Sequence, residues 1–323
     1  MKSNELQAIV EGFAQSDTWT VVSHNIPDGD CIGSVTGLVI ALESIGKKVT
    51  ALIEDGVPEL YRFLKGTEKI GSINSIPQIH DHVVFVDCSD PERLGEKVLN
   101  IVKDRKYTIS IDHHISNTYF GDVNLVEDHS SSTCEILYGV IKKLGAQVTA
   151  DIANALYSGM LMDSGRFQYS STGPNTLRSA ADLLELGADL NNIRTKLFES
   201  KSRLEIAVTK AALSSLEFLE DGRIAYMRLS YADMERLGSV NRHFEGIIDM
   251  ARDVINVEVA VFFRELEPGK IKLGFRSKGN VDVNELAANW GGGGHRRAAG
   301  AMIEGSIDDA ITQVVEKAKA ILP

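Results

Sequence analysis

The sequence predicts an α/β protein of two domains, and three observations support this prediction. The chain has 323 residues, which is more than one hydrophobic core usually serves. In its first two-thirds, short runs rich in β-branched residues alternate with helical patterns, which is typical of a parallel sheet with flanking helices. After about residue 220, two β-rich runs separated by Glu-Pro-Gly predict an antiparallel hairpin and therefore a different second domain.

The strands predicted in the first domain are short and strongly apolar. The run HVVFVDC at 82–88 is nearly continuous in apolar residues, as expected of a strand that is buried on both faces. Between the strands, apolar residues recur at helical spacing, as at Val35, Leu38, Val39 and Leu42. The predicted strands are 19–24, 48–54, 82–88 and 107–112, and the predicted helices are 33–45, 94–102, 133–144, 150–162 and 176–186.

The second domain is predicted to be smaller. Its predicted strands are 223–229, 258–266 and 270–277, and a helix at 308–321 closes the chain. Residues 188–220 show no strong strand signal and predict a helical connector. We therefore expect a first domain at residues 1–187, a helical linker at 188–220 and a second domain at 221–323.

The composition argues against several classes of protein. The chain is 43% hydrophobic and 24% charged, with 7 Pro and 28 Gly, which excludes a disordered, collagen-like or coiled-coil chain. No apolar run is long enough to span a membrane or to serve as a signal peptide, so we expect a cytoplasmic protein with no membrane partner. The net charge of −11 argues against binding long duplex nucleic acid. The oligomeric state stays open, a homodimer included.

The cysteines predict neither a disulfide scaffold nor a structural zinc site. Cys31, Cys88 and Cys134 are the three in the chain, and none belongs to a C-x-x-C pair. Cys31 and Cys88 each follow a conspicuous aspartate directly. We expect both to be small packing residues.

Acidic and imidazole side chains lie at or just after the ends of three of the predicted strands and one helix. They are His24, Asp28, Asp30, Asp87, Asp112, His113, His114 and Asp163. For the first loop alone, a solvated Asp-Gly-Asp turn beside a core histidine explains the pattern about equally well. The recurrence at four places favours a functional cluster, because a carboxylate at the end of a buried strand needs a partner. Open α/β sheets bind ligands at the carboxyl ends of their strands, so these side chains are expected to converge there.

The residue types in this set limit which metal ions it could bind. Carboxylates with imidazoles and without a thiolate suit Mn²⁺ or Mg²⁺, with Co²⁺ or Zn²⁺ as alternatives. The set exceeds what one ion needs, so the sequence predicts two ions. Such a pair clamps phosphoryl oxygens and lowers the pKa of a bound water. The chemistry predicted from these residues is the hydrolysis of a phosphate ester.

A glycine run in the second domain is the other strong signal. Gly291–Gly294 is followed by His295, Arg296 and Arg297. Consecutive glycines let a ligand approach the backbone, and their N–H groups can form a nest for an anion. Neither the P-loop nor the dinucleotide-binding spacing matches. A flexible linker is the alternative, but linkers do not usually run into His-Arg-Arg. Upstream, Arg276 ends a hairpin strand and either faces the same ligand or is a solvated strand end.

Together these motifs resemble the DHH phosphoesterase superfamily. Its four N-terminal motifs are matched in order by His24-Asn25-Ile26-Pro27-Asp28-Gly29-Asp30, Asp87, Asp112-His113-His114 and Asp163. The segments Gly292-Gly293-Gly294-His295 and Ala298-Ala299-Gly300 are similar to the glycine-rich motif of the DHHA1 domain. The resemblance covers essentially the whole chain. Within the superfamily, the layout is similar to that of the nanoRNases (oligoribonucleases) that also dephosphorylate 3′-phosphoadenosine 5′-phosphate (pAp).

This resemblance implies a catalytic DHH domain at 1–187 and a substrate-binding DHHA1 domain at 221–323. It implies one Mn²⁺ on His24, Asp28 and Asp87, and a second on Asp30, Asp87, His113 and Asp163, with Asp87 shared. The implied catalytic residues are Asp87 and His114. The implied substrate-binding residues are Arg276, Ser277, Gly292, Gly293, Gly294 and His295.

The implied substrates are very short RNA oligonucleotides, linear dinucleotides and pAp. An inorganic pyrophosphatase of the same superfamily is the nearest alternative, although such enzymes carry a different second domain. A non-catalytic nucleotide-binding module and a longer-range single-strand exonuclease are further alternatives.

Overall fold

The computed structural model describes residues 3–75, 78–240, 244, 246–279 and 281–322. They form two compact units, Met1–Ser200 and Lys201–Pro323. The division falls inside the segment 188–220 that the sequence predicts to be a linker. Of the helices in this segment, the first contributes Ile193 and Leu197 to the core of the first unit, and the second contributes Val208 and Ala212 to the second unit.

The first unit alternates strands with helices. Its strands are β1 (Thr18–Val22), β2 (Lys48–Leu52), β3 (Ile70–Gly71), β4 (His82–Val86), β5 (Tyr107–Asp112) and β6 (Val123–Val126). Its helices are α1 (Ser3–Ala14), α2 (Gly29–Ser44), α3 (Glu96–Val102), α4 (Thr133–Lys143), α5 (Ala150–Asp163), α6 (Pro174–Glu185) and α7 (Leu190–Phe198). The strands form one six-stranded parallel sheet in the order β3-β2-β1-β4-β5-β6.

Both faces of this sheet are buried, which explains the continuous apolar run of β4. Val84 and Val86 belong to a large core that includes residues of α2, α4 and α5. Val83 and Phe85 point to the opposite face, where they belong to a smaller core with residues of α3. Successive strand residues face opposite sides, so a strand covered by helices on both sides must be apolar throughout.

The strand order reverses direction between β1 and β4. From β1 the chain first builds outward through β2 and β3, and it then returns to place β4, β5 and β6 on the other side. Loops that leave the carboxyl ends of two such strands diverge to opposite faces and open a crevice, which is where sheets of this kind bind ligands. The loops that follow β1 and β4 carry His24, Asp28 and Asp87.

Close packing of three helices brings further side chains to this edge. A Cβ at Gly33 of α2 would lie 2.5 Å from the carbonyl oxygen of Ala155 in α5. A Cβ at Gly159 of α5 would lie 2.3 Å from the Sγ of Cys134 in α4. Only glycine permits these approaches. All three cysteines are buried free thiols, as the sequence predicts.

The second unit holds a different sheet. Its strands are β7 (Glu217–Leu219), β8 (Ile224–Leu229), β9 (Val259–Glu267), β10 (Lys270–Ser277), β11 (Gly293–His295) and β12 (Ala298–Glu304). Its helices are α8 (Arg203–Ser214), α9 (Tyr231–Leu237), α10 (Ile247–Arg252), α11 (Val283–Ala288) and α12 (Ile307–Ala320). The sheet order is β11-β12-β10-β9-β8-β7, in which β8 and β9 are parallel and the other neighbours are antiparallel.

The predicted fold class is confirmed, with local differences. The helix predicted at 94–102 is interrupted, because Gly95 adopts a φ of 87° between a short 3-10 turn (Pro91–Leu94) and α3. Helix α2 begins four residues before its predicted start of 33, because Asp28 caps it. Among the residues that the structure describes, no helix has both the length and the apolar character needed to cross a bilayer.

Candidate metal centre

The first group of predicted ligands surrounds the imidazole of His24. Its Nε2 lies 3.5 Å from Oδ2 of Asp87 and 4.0 Å from Oδ1 of Asp28. His24 and Asp87 are buried, whereas the Asp28 side chain is about half exposed. One ligand atom from each of these residues lies within 4.8 Å of the other two, which is close enough to share one cation.

The second group surrounds the imidazole of His113. Its Nε2 lies 3.9 Å from Oδ2 of Asp30, 3.7 Å from Oδ1 of Asp87 and 3.4 Å from Oδ2 of Asp163. Asp30, His113 and Asp163 again place one ligand atom each within 4.8 Å of one another. The two oxygens of Asp87 therefore face different groups: Oδ2 faces His24 and Oδ1 faces His113.

The starts of two helices hold the carboxylates in place. Oδ1 of Asp28 accepts hydrogen bonds from the N–H groups of Asp30 and Cys31, each at 3.0 Å, and so caps α2. The carboxylate of Asp30 accepts hydrogen bonds from the N–H groups of Thr133 at 2.6 Å and Cys134 at 3.0 Å, at the start of α4. Unpaired N–H groups and the helix dipole both favour a negative charge at these positions.

The histidine rings are oriented by bonds to their second nitrogen. Nδ1 of His113 lies 3.4 Å from the carbonyl oxygen of Ser130, to which it donates, so Nε2 faces the carboxylates. Nδ1 of His114 donates to Oδ1 of Asp112 at 2.7 Å, and Oδ2 of Asp112 accepts from Nδ2 of Asn117 at 2.8 Å. A carboxylate or carbonyl behind an imidazole fixes the ring and its tautomer.

The sequence does not single out Asn117 or Thr133, and it indicates Asp112 only as a member of the cluster. Asp112 is fully buried and holds His114, and Asn117 supports Asp112. Thr133 donates its hydroxyl to Oδ1 of Asp87 at 3.0 Å and its N–H to Asp30. The run Ser131–Thr133 before a helical pattern is a capping signal, but nothing in it indicates which carboxylate the helix start would meet.

Asp87 has an unusual backbone as well as a central position. Its φ is 54°, in the left-handed region that residues other than glycine rarely adopt. Aspartate tolerates this region better than most residues. The conformation turns the chain sharply where β4 ends, so the carboxylate lies between both groups rather than continuing along the strand.

The electrostatics of the cluster show that its charges are strongly coupled. Burial lowers the pKa of His113, but the carboxylates of Asp163 and Asp30 outweigh burial and raise this pKa to about 9. Burial raises the pKa of Asp163 to about 6. Burial and the charge of Asp87 raise the pKa of Asp30 well above its usual value. For Asp87 itself, the hydrogen bond with His24 and the nearby imidazoles overcome burial and hold the pKa far below its ordinary value.

The donor set fits hard or borderline divalent cations. It offers carboxylate oxygens and imidazole nitrogens, which suit Mn²⁺, Mg²⁺ or Co²⁺. The neighbouring thiols do not join it, because burial raises the pKa of Cys88 to about 12 and the pKa values of Cys31 and Cys134 well above their usual value. Buried carboxylates this close repel one another unless protons or cations lie among them. The arrangement is therefore that of a metal-binding cluster.

In the second unit, the sheet register relates two of the predicted substrate-binding residues. Arg276 of β10 is opposite Ala298 of β12, and Ala298 is opposite His295 of β11, so Arg276 and His295 lie on the same face of the sheet. Nε of Arg276 lies 3.6 Å from Oδ1 of Asp249. Ser277 is buried, and its hydroxyl donates to the carbonyl oxygen of Val281 at 2.8 Å. The Ser277 hydroxyl is thus engaged within the unit.

The glycine run is partly an edge strand rather than a free loop. Gly293–His295 forms β11 and pairs with β12. The N–H of Gly292 donates to the carbonyl oxygen of Ala287, and the N–H of Gly294 donates to Oδ1 of Asn284. A Cβ at Gly292 would lie 2.2 Å from the carbonyl oxygen of Gly300. The glycines therefore permit close strand packing, and at least two of their donors are used internally.

The first unit carries a cluster of carboxylates and imidazoles where the strand order of its parallel sheet reverses. A second unit that contains a glycine run follows it along the chain. These features together define a metal-dependent phosphohydrolase. The family model described as the N-terminal domain of the DHH family matches residues 18–160, and the DHHA1 domain model matches residues 222–322. The chain belongs to the DHH family of phosphoesterases.

Relatives whose names describe an activity are similar to this chain over most of their length. The bifunctional oligoribonuclease and PAP phosphatase NrnA of Thermus thermophilus is 32% identical over 299 residues, which cover 92% of this chain and 87% of the relative. The protein of the same name from Bacillus subtilis is 26% identical over 311 residues, covering 91% of this chain and 92% of the relative. The crystal structure of an exopolyphosphatase-related protein from Bacteroides fragilis superposes with a TM-score of 0.90 at 26% identity, covering 99% of this chain and 98% of that chain.

Proposed function

We propose that this protein hydrolyses very short oligoribonucleotides and linear dinucleotides to mononucleotides and removes the 3′-phosphate of pAp. The observation that carries the proposal is the pair of ligand groups on either side of Asp87. The names of the Thermus and Bacillus relatives, which describe an oligoribonuclease and a PAP phosphatase, support the choice of substrates.

The residues that would hold the ions follow from the two groups. His24, Asp28 and Asp87 would hold one Mn²⁺, and Asp30, Asp87, His113 and Asp163 would hold the other, with Mg²⁺ or Co²⁺ as alternatives. Two such ions supply an acidified water and a positive field for the phosphoryl oxygens. The chain contributes the placement: the starts of α2 and α4 fix Asp28 and Asp30 before substrate arrives.

His114 is the residue we assign to the phosphate itself. Asp112 accepts its Nδ1–H at 2.7 Å, which fixes the orientation of the ring. When Nε2 also carries a proton, it would donate a hydrogen bond to a phosphoryl oxygen and so stabilise the charge that grows there. Asn117 keeps Asp112 in position through the second carboxylate oxygen.

The second unit would bind the part of the substrate that does not react. Arg276 and His295 lie on one sheet face and offer charge-assisted donors to the other phosphate or to the terminal nucleotide. Gly292, Gly293 and Gly294 would let the substrate approach this strand without side chains in the way. Ser277, whose hydroxyl bonds Val281, would hold the end of β10 in place beside Arg276.

The proposal is tested with purified protein, added Mn²⁺ and a set of substrates. These are pAp, a linear diadenylate, 5′-labelled RNAs of two to about ten nucleotides, and inorganic pyrophosphate. We expect release of mononucleotide from the shortest RNAs and of phosphate from pAp. No product from any nucleotide would contradict the proposal, and hydrolysis of pyrophosphate alone would favour the pyrophosphatase alternative.

The two-ion arrangement is tested separately. Anomalous scattering from manganese-soaked crystals is expected to show two peaks beside Asp87, roughly 3.5–4 Å apart. A single peak, or none, would contradict the shared role of Asp87.

A further inference from the structure

The segment after β5 is fixed to the end of β4. The N–H of Thr118 donates to the carbonyl oxygen of Ser89 at 2.9 Å, and its hydroxyl lies 3.3 Å from Oδ2 of Asp90. Phe120 packs edge-on against Phe85, with ring centroids 4.9 Å apart. The residues on either side of Tyr119 are therefore anchored, and Tyr119 has a well-defined position.

Tyr119 is held in a conformation that is unfavourable for a bulky residue. Its φ is 55°, in the left-handed region, and its N–H donates to Oδ1 of Asn117 at 2.7 Å. Its side chain is 63% exposed. Within the described part of the chain, its ring stacks on no other aromatic ring and its hydroxyl forms no hydrogen bond. Strain of this kind persists where the surroundings enforce it, and it clusters at functional sites.

A short chain of hydrogen bonds connects Tyr119 to the metal centre. Asn117, which accepts the Tyr119 N–H, also donates to the carboxylate of Asp112 that holds His114. Two other exposed apolar side chains adjoin the same centre in sequence. Ile115 follows His114 directly and Ile26 lies between His24 and Asp28, and they are 77% and 59% exposed. The loops that carry the metal ligands thus also expose apolar side chains to solvent.

We propose that the ring of Tyr119 stacks on the nucleobase of the nucleotide whose phosphate reacts. This inference rests on the proposed function and adds the group that recognises the base. Phosphate binding alone does not distinguish a nucleotide from a base-free phosphate compound. An exposed aromatic ring, whose backbone is bonded to the Asn117 that supports the centre, can do so, and it accepts any base because every base has a π-face.

The test compares Tyr119→Asn with Tyr119→Phe. Asparagine tolerates a positive φ, so the first variant removes the ring without adding backbone strain, and the second keeps the ring. The substrates are pAp and 1-deoxyribose 3,5-bisphosphate, which has the same sugar phosphates without the base. Loss of stacking should raise KM for pAp roughly 5- to 150-fold in Tyr119→Asn, with kcat little changed. Tyr119→Phe should resemble the wild type, and KM for the base-free compound should be equal in all three proteins.

Ile255→Asn is the matched control, because it removes an apolar side chain that is 82% exposed in the other unit. An unchanged KM for pAp in Tyr119→Asn would overturn the inference while the proposed function stands. A fall in kcat on both compounds would also overturn it, because it would indicate that Tyr119 only supports His114. A wild-type protein that hydrolyses neither pAp nor short RNA would overturn the proposed function and this inference with it.

Discussion

The two sheets of this protein place their polar groups in opposite ways. In the first unit, Asp30 and Asp87 are each only 1% exposed, at the end of a sheet that is covered on both faces. In the second unit, Arg276 and His295 are half-buried and lie on one face of a largely antiparallel sheet. The first arrangement is suited to holding small cations permanently, and the second is suited to a ligand that binds and leaves.

The two units also differ in the contacts that hold these polar side chains in position. In the first unit, helix starts and buried hydrogen bonds orient the carboxylates of Asp28, Asp30 and Asp112. In the second unit, the support is the close contact of two strands, which depends on the small size of Gly292 and Gly294. The preorganised charge of the first unit is expected to govern turnover, and the sheet face that carries Arg276 and His295 is expected to govern substrate affinity.

The largest expected effect is that of Asp87→Asn. The substitution removes a charge from the residue shared by both groups, so kcat on pAp should fall by roughly 10³-fold or more. The comparison protein is Asp104→Asn, because Asp104 is exposed on the same unit. Circular dichroism should show that both variants fold. Unchanged turnover in Asp87→Asn would remove the basis for a shared ligand.

A smaller effect of a different kind is expected for Arg276→Gln. Loss of one charge-assisted contact to phosphate should raise KM by about 10-fold or more and leave kcat nearly unchanged. Arg228→Gln is a suitable control, because Arg228 pairs with Asp308 on the same unit. If Arg276→Gln lowers kcat and leaves KM unchanged, it is wrong to assign turnover to the first unit and substrate affinity to the second.

Substitutions at two neighbouring glycines test the close strand contact in the second unit. A Cβ at Gly292 would lie 2.2 Å from a carbonyl oxygen, whereas a Cβ at Gly293 would lie 3.5 Å from the side chain of Asn284 in ordinary contact. Gly292→Ala should therefore lower the free energy of unfolding by about 1–3 kcal/mol more than Gly293→Ala. Urea unfolding of the two variants measures this difference, and equal midpoints would show that strand contact here is not tight.

A further expected effect concerns the metal requirement at different pH values. The pKa of His113 is raised to about 9 and that of Asp163 to about 6, so protons compete with cations for these ligands. As the pH falls, a cation must displace more protons, and the half-saturating Mn²⁺ concentration should rise by about tenfold per pH unit for each proton displaced. Titrating activity with Mn²⁺ at pH 7 and pH 8 measures the shift. A requirement independent of pH would contradict the displacement of a proton from His113 by the cation.

The sequence predicts the parallel sheet well because burial on both faces leaves a direct pattern in composition. Strand β5 begins and ends where the alternation predicts, and β4 differs only at its end. The candidate ligand residues are also visible in the sequence, because charged side chains at the ends of apolar strands are unusual. The positions of Asp28, Asp87 and His113 could therefore be predicted before the structure was known.

The remaining features depend on contacts between distant parts of the chain. The tasks of Thr133 and Asn117 arise only when α4 and the segment after β5 meet carboxylates from other loops. Strands β11 and β12 contain many small residues and lack the alternation of large apolar side chains, so periodicity does not reveal them. The strain at Tyr119 likewise has no local sequence signal, because tyrosine is not a residue that favours positive φ.

Thr133 contacts two of the carboxylates at once, through its N–H to Asp30 and its hydroxyl to Asp87. One residue at the start of α4 thus sets the distance between two carboxylates of the group around His113. If manganese binds to this group as proposed, the positions of these carboxylates would shape its ligand field, so electron paramagnetic resonance would detect a change at Thr133 even where the overall fold is unaltered.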